Sequence, residues 1–149
     1  MHEKIQGNDY WITMVYIDSY EDNVLRGCLT NPFLNNWQNF TSLSDFIIKM
    51  ELMMDMMDLP QSYASNRRFS NEPLPQLHKP TGVMRRGNKA TFSLTIRFRR
   101  NNSWQGTISW LETHREQNFR SVLELIVMMD SALREQRYPS EKKDFASMA

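Results

Sequence analysis

The chain has 149 residues, 40% of them hydrophobic, and its 18 Lys and Arg nearly balance its 17 Asp and Glu. This length and this apolar content fit one ordinary folded domain, 1–149, and exclude a disordered protein. The net charge of +1 argues against a protein that coats nucleic acid by bulk charge alone.

The N-terminal stretch has acids where a signal peptide has a basic region, and no apolar run approaches the roughly 18 residues of a membrane span. Cys28 is the only cysteine, so it has no partner for an intramolecular disulfide, which fits a reducing compartment. We therefore expect a cytoplasmic protein with no membrane partner.

The first half of the chain begins with a predicted β-hairpin. Residues 10–20 and 24–30 are rich in β-branched and aromatic side chains, which favour strands. Between them, Glu21, Asp22 and Asn23 supply typical turn chemistry. The two strands are therefore expected to pair antiparallel.

A short strand at 37–40 and a helix at 42–58 follow. Apolar residues recur through the helix at spacings of three and four. Ser42 and Asp45 form a variant of the capping box, in which the hydroxyl and the carboxylate each accept an early backbone N–H. Pro60 ends the helix because it disfavours helical geometry in the residue before it.

Residues 61–88 are a Pro- and Arg-rich connection, either mobile or laid over the core as an extended arm. From 61 to 100 there are nine basic residues and one acid, a net charge of +8. The stretches 1–60 and 101–149 have net charges of −6 and −1. Electrostatic attraction of a polyanionic partner is therefore expected only at residues 61–100.

Residues 90–99 predict the clearest strand. Phe92, Leu94, Ile96 and Phe98 alternate with polar residues, so that Arg97 and Arg99 are expected on the wet face. After a turn at Asn101-Asn102 come a return strand, a possible short strand and a second helix with a fuller capping box at Ser121 and Glu124. Their predicted ranges are 103–111, 117–119 and 121–137, followed by a flexible tail at 138–149.

The two halves match when one is shifted by 79 positions without a gap. We call residues 10–58 the first unit and residues 89–137 the second unit. Identities fall at the turn, the hairpin glycine and the helix entry, which predicts a tandem duplication of a ββ(β)α unit. The identical pairs are Ile17/Ile96, Asn23/Asn102, Gly27/Gly106, Gln38/Gln117, Asn39/Asn118, Phe40/Phe119, Ser42/Ser121, Ile47/Ile126 and Met50/Met129.

This pattern predicts an α+β fold. Each unit has an amphipathic hairpin and an amphipathic helix with an apolar face that only the other unit can cover. We expect an antiparallel sheet with both helices on one face. A small barrel with the two helices is the alternative.

A methionine-rich helix face is the first candidate site. Met53, Met54, Met56 and Met57 predict an adaptable apolar interface, because apolar residues cover more than one face of this helix. Plain core packing is the alternative, and Cu(I) binding by thioethers is a remoter one.

A basic and aromatic set is the second candidate site. Aromatic platforms beside arginines on a sheet are typical of single-stranded nucleic-acid binding, although no RNP-like, helix-turn-helix or zinc-knuckle pattern accompanies them. Core packing for the tryptophans and a solvated strand face for the arginines are the alternatives. The set comprises Arg85, Arg86, Arg97, Arg99, Arg100, Trp104 and Trp110.

No pattern of catalytic or metal-binding residues is recognisable. His2, His78 and His114 are scattered, and none lies within a few residues of Cys28. Cys28 itself is interpreted as a buried structural residue rather than a nucleophile. The glycines provide no phosphate loop, so we expect no cofactor, no metal and no enzymatic activity.

The stretch Ser103–Leu133 resembles a segment of small uncharacterised bacterial proteins. In these, a Ser-Trp-Gln-Gly strand leads to a Phe-Arg-Ser entry into a Leu-rich helix. Asn39–Asp55, with Leu59-Pro60-Gln61 after it, is similar to a weaker first half of the same pattern. The resemblance implies the fold and brings no activity or ligand.

These observations favour a non-enzymatic protein-interaction or regulatory module. We expect it to self-associate, as a homodimer, or to bind another protein through an apolar helix or sheet surface. RNA or single-stranded DNA binding through the basic residues 61–100 is the alternative.

Overall fold

A computed structural model of the chain describes residues 12–32, 37–63, 65–73, 76–77, 79, 83–84 and 88–137. All predicted strands and helices are present within these ranges, and their ends lie within two residues of the predicted ones. The first unit contains β1 (Ile12–Glu21), β2 (Val24–Thr30), β3 (Trp37–Phe40) and α1 (Leu43–Met57), and the second contains β4 (Ala90–Phe98), β5 (Gln105–Trp110), β6 (Arg115–Phe119) and α2 (Val122–Arg137).

The six strands form one antiparallel sheet in the order β3-β2-β1-β4-β5-β6. Its two end strands, β3 and β6, do not pair with each other, so the sheet is open. The α+β prediction is therefore confirmed, and the barrel alternative is wrong. Met14 pairs with Ser93 at the centre of the β1–β4 register, which joins the two units.

Both helices contact the same face of the sheet. Thr13 pairs with Leu94, so Thr13 and Phe92, two residues earlier on β4, project from one face. The Thr13 hydroxyl lies 4.0 Å from the Met53 sulfur on α1, and Phe92 shares a cavity wall with Ala132 on α2. A single apolar core therefore fills the space between this face and the two helices.

Each hairpin turns through two residues with positive φ. Asp22 and Asn23 have φ of 54° and 63°, and Asn101 and Asn102 have φ of 57° and 55°. Asn and Asp tolerate this left-handed region, and two such residues in succession match the twist of a two-residue hairpin. The two turns lie 79 residues apart.

A glycine in each unit permits close contact between neighbouring strands. A Cβ atom at Gly27 would lie 2.0 Å from the Tyr16 carbonyl oxygen, and one at Gly106 would lie 1.9 Å from that of Thr95. These glycines and these carbonyls are again 79 residues apart. No other side chain fits either position without moving a strand.

Both helices begin with the predicted capping box. Ser42 Oγ accepts from the Asp45 N–H at 3.0 Å, and Ser121 Oγ accepts from the Glu124 N–H at 3.1 Å. In each case the acid accepts the N–H of the residue before the serine. The boxes satisfy donors that would otherwise be unpaired at each helix start.

The connection contacts the body of the protein at several described residues. Asn66 donates to Glu51 on α1, and the Val83 carbonyl accepts from Asn39 on β3. Leu77 packs against the core. Parts of 61–88, including Arg85 and Arg86, and the predicted tail at 138–149 lie outside the described residues.

Within the described part of the chain, neither helix combines the length and the apolar content that crossing a membrane requires.

Candidate functional site

Trp104 is a buried structural residue. It is among the largest fully buried side chains of the core, and its Nε1–H donates to Glu51 Oε1 on α1 at 2.6 Å. This bond joins the residue directly before β5 of the second unit to the helix of the first. Because the indole is covered, the prediction that Trp104 lies on a partner or nucleic-acid surface is wrong.

Arg99 is also buried, contrary to the expectation that it lies on the wet face. The β4 register shifts between Ile96 and Phe98, and this irregularity reverses the alternation, so that Phe98 points outward and Arg99 inward. The Arg99 guanidinium donates to Asp55 Oδ1 at 2.7 Å and to the Pro60 carbonyl at 2.8 Å. Arg99 therefore ties the end of α1 to the second unit.

Arg97 and Arg100 remain exposed, but their contacts differ. Arg97 donates to the Thr107 hydroxyl at 2.6 Å on the sheet face opposite the helices. The Arg100 guanidinium lies 4.2 Å from the centre of the Phe98 ring. Arg97, Arg99 and Arg100 nevertheless line one surface pocket together, whereas Trp104 and Trp110 do not line it.

The four methionines of the predicted apolar interface also separate. Met53 and Met54 are buried in the core and are unavailable to a partner of the folded chain, so this part of the prediction is wrong. Met57 is partly buried and packs against the same core. Met56 alone lies well exposed. The cause is helical spacing, since Met53 and Met57 share the inner face while Met56 lies across the helix.

The outer faces of the two helices carry an apolar patch that includes Met56. Ile48 and Met56 on α1 are 44% and 58% exposed, and Leu123 and Val127 on α2 are 69% and 56% exposed. Ile48 and Val127 occupy equivalent positions, 79 residues apart. We call these four side chains the outer helix patch.

Charged residues near the outer helix patch are paired within their own helices. Lys49 contacts Asp45 at 3.3 Å, and Arg134 contacts Asp130 at 2.8 Å, both across one helical turn. Such i,i+4 pairs neutralise the helix surface. Asp55, next to Met56, is 54% exposed and pairs instead with the buried Arg99 of the second unit.

A cleft of about 360 Å³ opens between β5, β6 and α2. Five apolar side chains, including Trp110, form one wall of the cleft. The Trp110 and Phe92 rings lie with their centres 6.4 Å apart. We call this space the Trp110 cleft, and its apolar lining is Phe92, Ile108, Trp110, Met128 and Ala132.

Polar side chains lie around the Trp110 cleft. Arg115 on β6 pairs directly with Trp110 on β5, and its guanidinium lies 4.7 Å from the centre of the Trp110 ring. The same guanidinium forms an ion pair with Glu135 on α2. Gln117 and Ser131 complete the polar lining. The sequence analysis missed these four residues. For Arg115 the reason is that β6 was predicted to start at 117, whereas the pairing of Trp110 with Arg115 needs a start at 115.

The indole N–H of Trp110 is unsatisfied. Trp110 is 8% exposed, and within the described part of the chain its Nε1 has no hydrogen-bond acceptor. A buried donor without a partner costs about 1–3 kcal/mol. Trp110 was predicted to lie on a partner or nucleic-acid surface, with core packing as the alternative; the ring is buried and lines a cleft on the helix side of the sheet.

A polar cluster lies between β1 and α2 and consists of Tyr20, Asp130 and Arg134. The Tyr20 hydroxyl donates to Asp130 Oδ1 at 2.6 Å, and Arg134 donates to Asp130 Oδ2. Burial, followed by the bond to Asp130, raises the pKa of Tyr20. The Tyr20 bond, followed by the Arg134 bond, lowers the pKa of Asp130. The cluster stabilises the contact between β1 and α2.

No three His, Cys, Asp or Glu side chains among the described residues are arranged to hold a metal ion. Cys28 is fully buried on β2, with its sulfur 3.6 Å from the Leu29 carbonyl oxygen. The described residues thus offer three candidate sites: the outer helix patch, the Trp110 cleft and the pocket lined by Arg97, Arg99 and Arg100.

Comparison of the chain with protein-family models, with curated proteins and with solved structures gives no match. The resemblance to small bacterial proteins therefore stays a prediction.

Proposed function

We propose that the protein is a non-enzymatic interaction module that self-associates as a homodimer through the outer helix patch. The observation that carries this proposal is the exposure of four large apolar side chains on the outer faces of both helices. Leu123 and Val127 lie one helical turn apart on α2 and form an exposed apolar pair, which is typical of interaction surfaces.

A second copy of the chain is the occupant that the patch fits best. Two copies related by a twofold axis bring identical surfaces together, which requires a surface that tolerates its own charges. Beside Ile48 and Val127 the charges of Lys49 and Arg134 are offset by Asp45 and Asp130 in i,i+4 pairs, which reduces the repulsion between two copies. The equivalence of Ile48 and Val127 gives each copy two similar contact points.

Self-association has more support than nucleic-acid binding. Within the predicted basic and aromatic set, Arg99, Trp104 and Trp110 are buried and cannot stack on a base. Arg97 and Arg100 are exposed and line one pocket with Arg99, but neither tryptophan lines that pocket.

We infer that the two units arose by tandem duplication. The support is the correspondence of strand registers at an offset of 79, since Gly27 faces Phe40 as Gly106 faces Phe119. The turns with positive φ, the close glycine contacts and the capping boxes add to it.

We further propose a reducing, cytoplasmic setting. Its support is Cys28, the only cysteine of the sequence, which lies fully buried on β2.

Sedimentation equilibrium with the variant Leu123→Glu/Val127→Glu tests the proposed dimer. Both side chains are exposed, so the substitutions leave the core intact and place charges in the contact. We expect a dimer for the unchanged protein and a monomer for the double variant at the same concentration.

Val24→Glu is the matched control, because Val24 is an exposed apolar residue of β2 that alternates with the buried Leu25 and so points away from the core face of the sheet. It should remain dimeric. A strict monomer of the unchanged protein at high concentration, or a double variant that still dimerises, would contradict the proposal.

A further inference from the structure

A pocket of about 650 Å³ lies at the end of the sheet where β4 turns into β5. It is lined by residues 58–61 and Tyr63, which follow α1, and by residues 97–102. Its volume falls in the range of small-molecule sites. We call it the arginine pocket. It shares no residue with the outer helix patch, so a function of this pocket is independent of self-association.

The positive charge of the arginine pocket is not required by the framework that the two units share. At the offset of 79, Arg97 and Arg100 correspond to Asp18 and Glu21 at the end of the first hairpin. Both hairpins nevertheless turn through two residues with positive φ. The backbone therefore accepts acids at these two positions, and the arginines of the second unit need another explanation.

Arg97 and Arg100 are available to a ligand. Both are exposed and form no ion pair with the described carboxylates, whereas the buried Arg99 is paired. Arg97 uses one guanidinium N–H for the Thr107 hydroxyl. The Arg100 guanidinium lies over the Phe98 ring, an arrangement that leaves the N–H groups at the edge of its plane available. Two such cations in one pocket favour an anion, and a phosphate accepts charge-assisted hydrogen bonds from arginine.

Exposed apolar side chains line the same pocket. Leu59, Tyr63 and Phe98 are 37%, 92% and 46% exposed. The Tyr63 hydroxyl donates to Gln61 Oε1 at 2.7 Å, while its ring is almost fully exposed. Exposed aromatic rings stack on planar bases. The pocket therefore combines donors for a phosphate with a surface for a flat ring.

Asp58 is the only acid among the residues that line the pocket. Its carboxylate accepts a hydrogen bond from Gln61 at 3.4 Å and has lone pairs for further donors. Asp58 repels a phosphate but accepts hydroxyl groups. It thus favours a ligand that places its phosphate at the arginines and carries hydroxyl groups elsewhere.

We propose that the arginine pocket binds a mononucleotide, whose phosphate contacts Arg97 and Arg100 and whose base stacks on Tyr63. The sugar hydroxyls donate to Asp58. A single nucleotide is favoured over a nucleic-acid strand, because Trp104 and Trp110 are buried and extend no stacking surface beyond the pocket.

Calorimetric titration with adenosine 5′-monophosphate tests this assignment. We expect saturable binding of the monophosphate by the unchanged protein. Adenosine and inorganic phosphate should each bind at least about tenfold more weakly, because each lacks one of the two contacting groups.

Arg97→Gln and Arg100→Gln should each weaken binding of the monophosphate about tenfold, since each removes a charged donor to the phosphate. Neither should change the binding of adenosine. Tyr63→Ala should weaken binding of both ligands about tenfold, because it removes the stacking ring. All three side chains are exposed, so the variants keep the fold.

Arg26→Gln is the matched control, because it also removes one exposed positive charge. Since β1 and β4 are antiparallel, the two hairpin turns lie at opposite ends of the sheet, and Arg26 closely follows the first turn. The control should bind the monophosphate as the unchanged protein does.

Absence of saturable binding, or an equal loss in Arg26→Gln and Arg100→Gln, would overturn the site. Adenosine bound as tightly as the monophosphate would overturn the phosphate contact, and inorganic phosphate bound as tightly would overturn the stacking contact. Single-stranded hexa-adenylate bound more than about a hundredfold tighter than the monophosphate would overturn the mononucleotide in favour of a nucleic-acid strand.

Discussion

The first and second units share a backbone framework but use different side chains to complete it. Their strand registers correspond at an offset of 79, and so do the irregularities after Ile17 and Ile96. The helix entries correspond as well. Such a comparison separates the residues that fix the framework from those that are free to change.

The clearest difference lies under the helices. Met53 packs in the core of the first unit, whereas its equivalent Ala132 lies at an open cleft beside Phe92 and Trp110, which are larger than their equivalents Thr13 and Asn31. Protein interiors are normally packed without such spaces, because unfilled volume costs stability. The Trp110 cleft of the second unit therefore lies where the same arrangement of strands and helix is packed by Met53 in the first unit.

The helix ends differ in a second way. Glu51 on α1 accepts from Trp104, and its equivalent Asp130 on α2 accepts from Tyr20. Arg99, at the position equivalent to Tyr20, adds an ion pair with Asp55. Among the described residues each helix is thus held by the other unit: Arg134 on α2 also donates to Asn23, whereas α1 is held by an ion pair with the buried Arg99.

The largest expected effect comes from the equivalent glycines. Gly27→Ala and Gly106→Ala should each destabilise the protein by about 3 kcal/mol or more, because the new Cβ would collide with a strand carbonyl. Urea unfolding measures both. Ser109→Ala serves as the control and should change stability by less than about 0.5 kcal/mol. If only one glycine proved sensitive, the two units would not share this framework.

The next effect concerns the filled and the open core. Met53→Ala should cost about 2–3 kcal/mol, because it removes a buried side chain and leaves a cavity. Ala132→Met adds the same side chain to the open unit and should be neutral within about 1 kcal/mol. Thermal unfolding of both variants checks the difference. A similar loss for both would mean that the second unit has no room at this place.

A smaller difference is expected at the helix ends. Arg99→Leu should cost about 2 kcal/mol, since it breaks a buried ion pair whose partner Asp55 is half exposed. Tyr20→Phe, at the equivalent position, should cost about 1 kcal/mol for one hydrogen bond. Urea unfolding of the two variants ranks them. Equal losses would contradict the stronger attachment of α1.

The smallest effect is a pH dependence at Asp130. Its pKa is lowered from the ordinary value of 3.8, so the folded protein favours the carboxylate. The resulting stability is present above pH 3.8 and is lost as the pH falls through the lower pKa of the folded state. Asp130→Asn should therefore be less stable at neutral pH, by about 1 kcal/mol, and the difference should vanish in acid. Unfolding measured over a pH series would refute this if the difference stayed constant.

Much of the framework could be predicted from the sequence because its causes are local. Asn23 and Asn102 indicate tight turns, and Ser42 and Ser121 indicate helix starts, through short-range hydrogen bonding. The offset of 79 then indicated which positions correspond.

The candidate site was harder to predict because its causes are not local. Arg99 was expected on the wet face, but one shift in register turned it inward. No pattern in the sequence indicates that the indole N–H groups of Trp104 and Trp110 differ in hydrogen bonding. Trp104 meets an acceptor 53 positions away on another element, whereas Trp110 meets none among the described residues.

The contrast between these two tryptophans allows the most direct test of how the packing of the second unit differs from that of the first. Proton–nitrogen NMR spectra of the ligand-free protein, with Trp104→Phe and Trp110→Phe used for assignment, report the hydrogen bonding of each indole N–H. The Trp104 resonance should lie far downfield, because its N–H is bonded to the Glu51 carboxylate. The Trp110 resonance should lie upfield, at the position of an unbonded indole. A Trp110 resonance as far downfield as that of Trp104 would show a satisfied donor and would contradict the account.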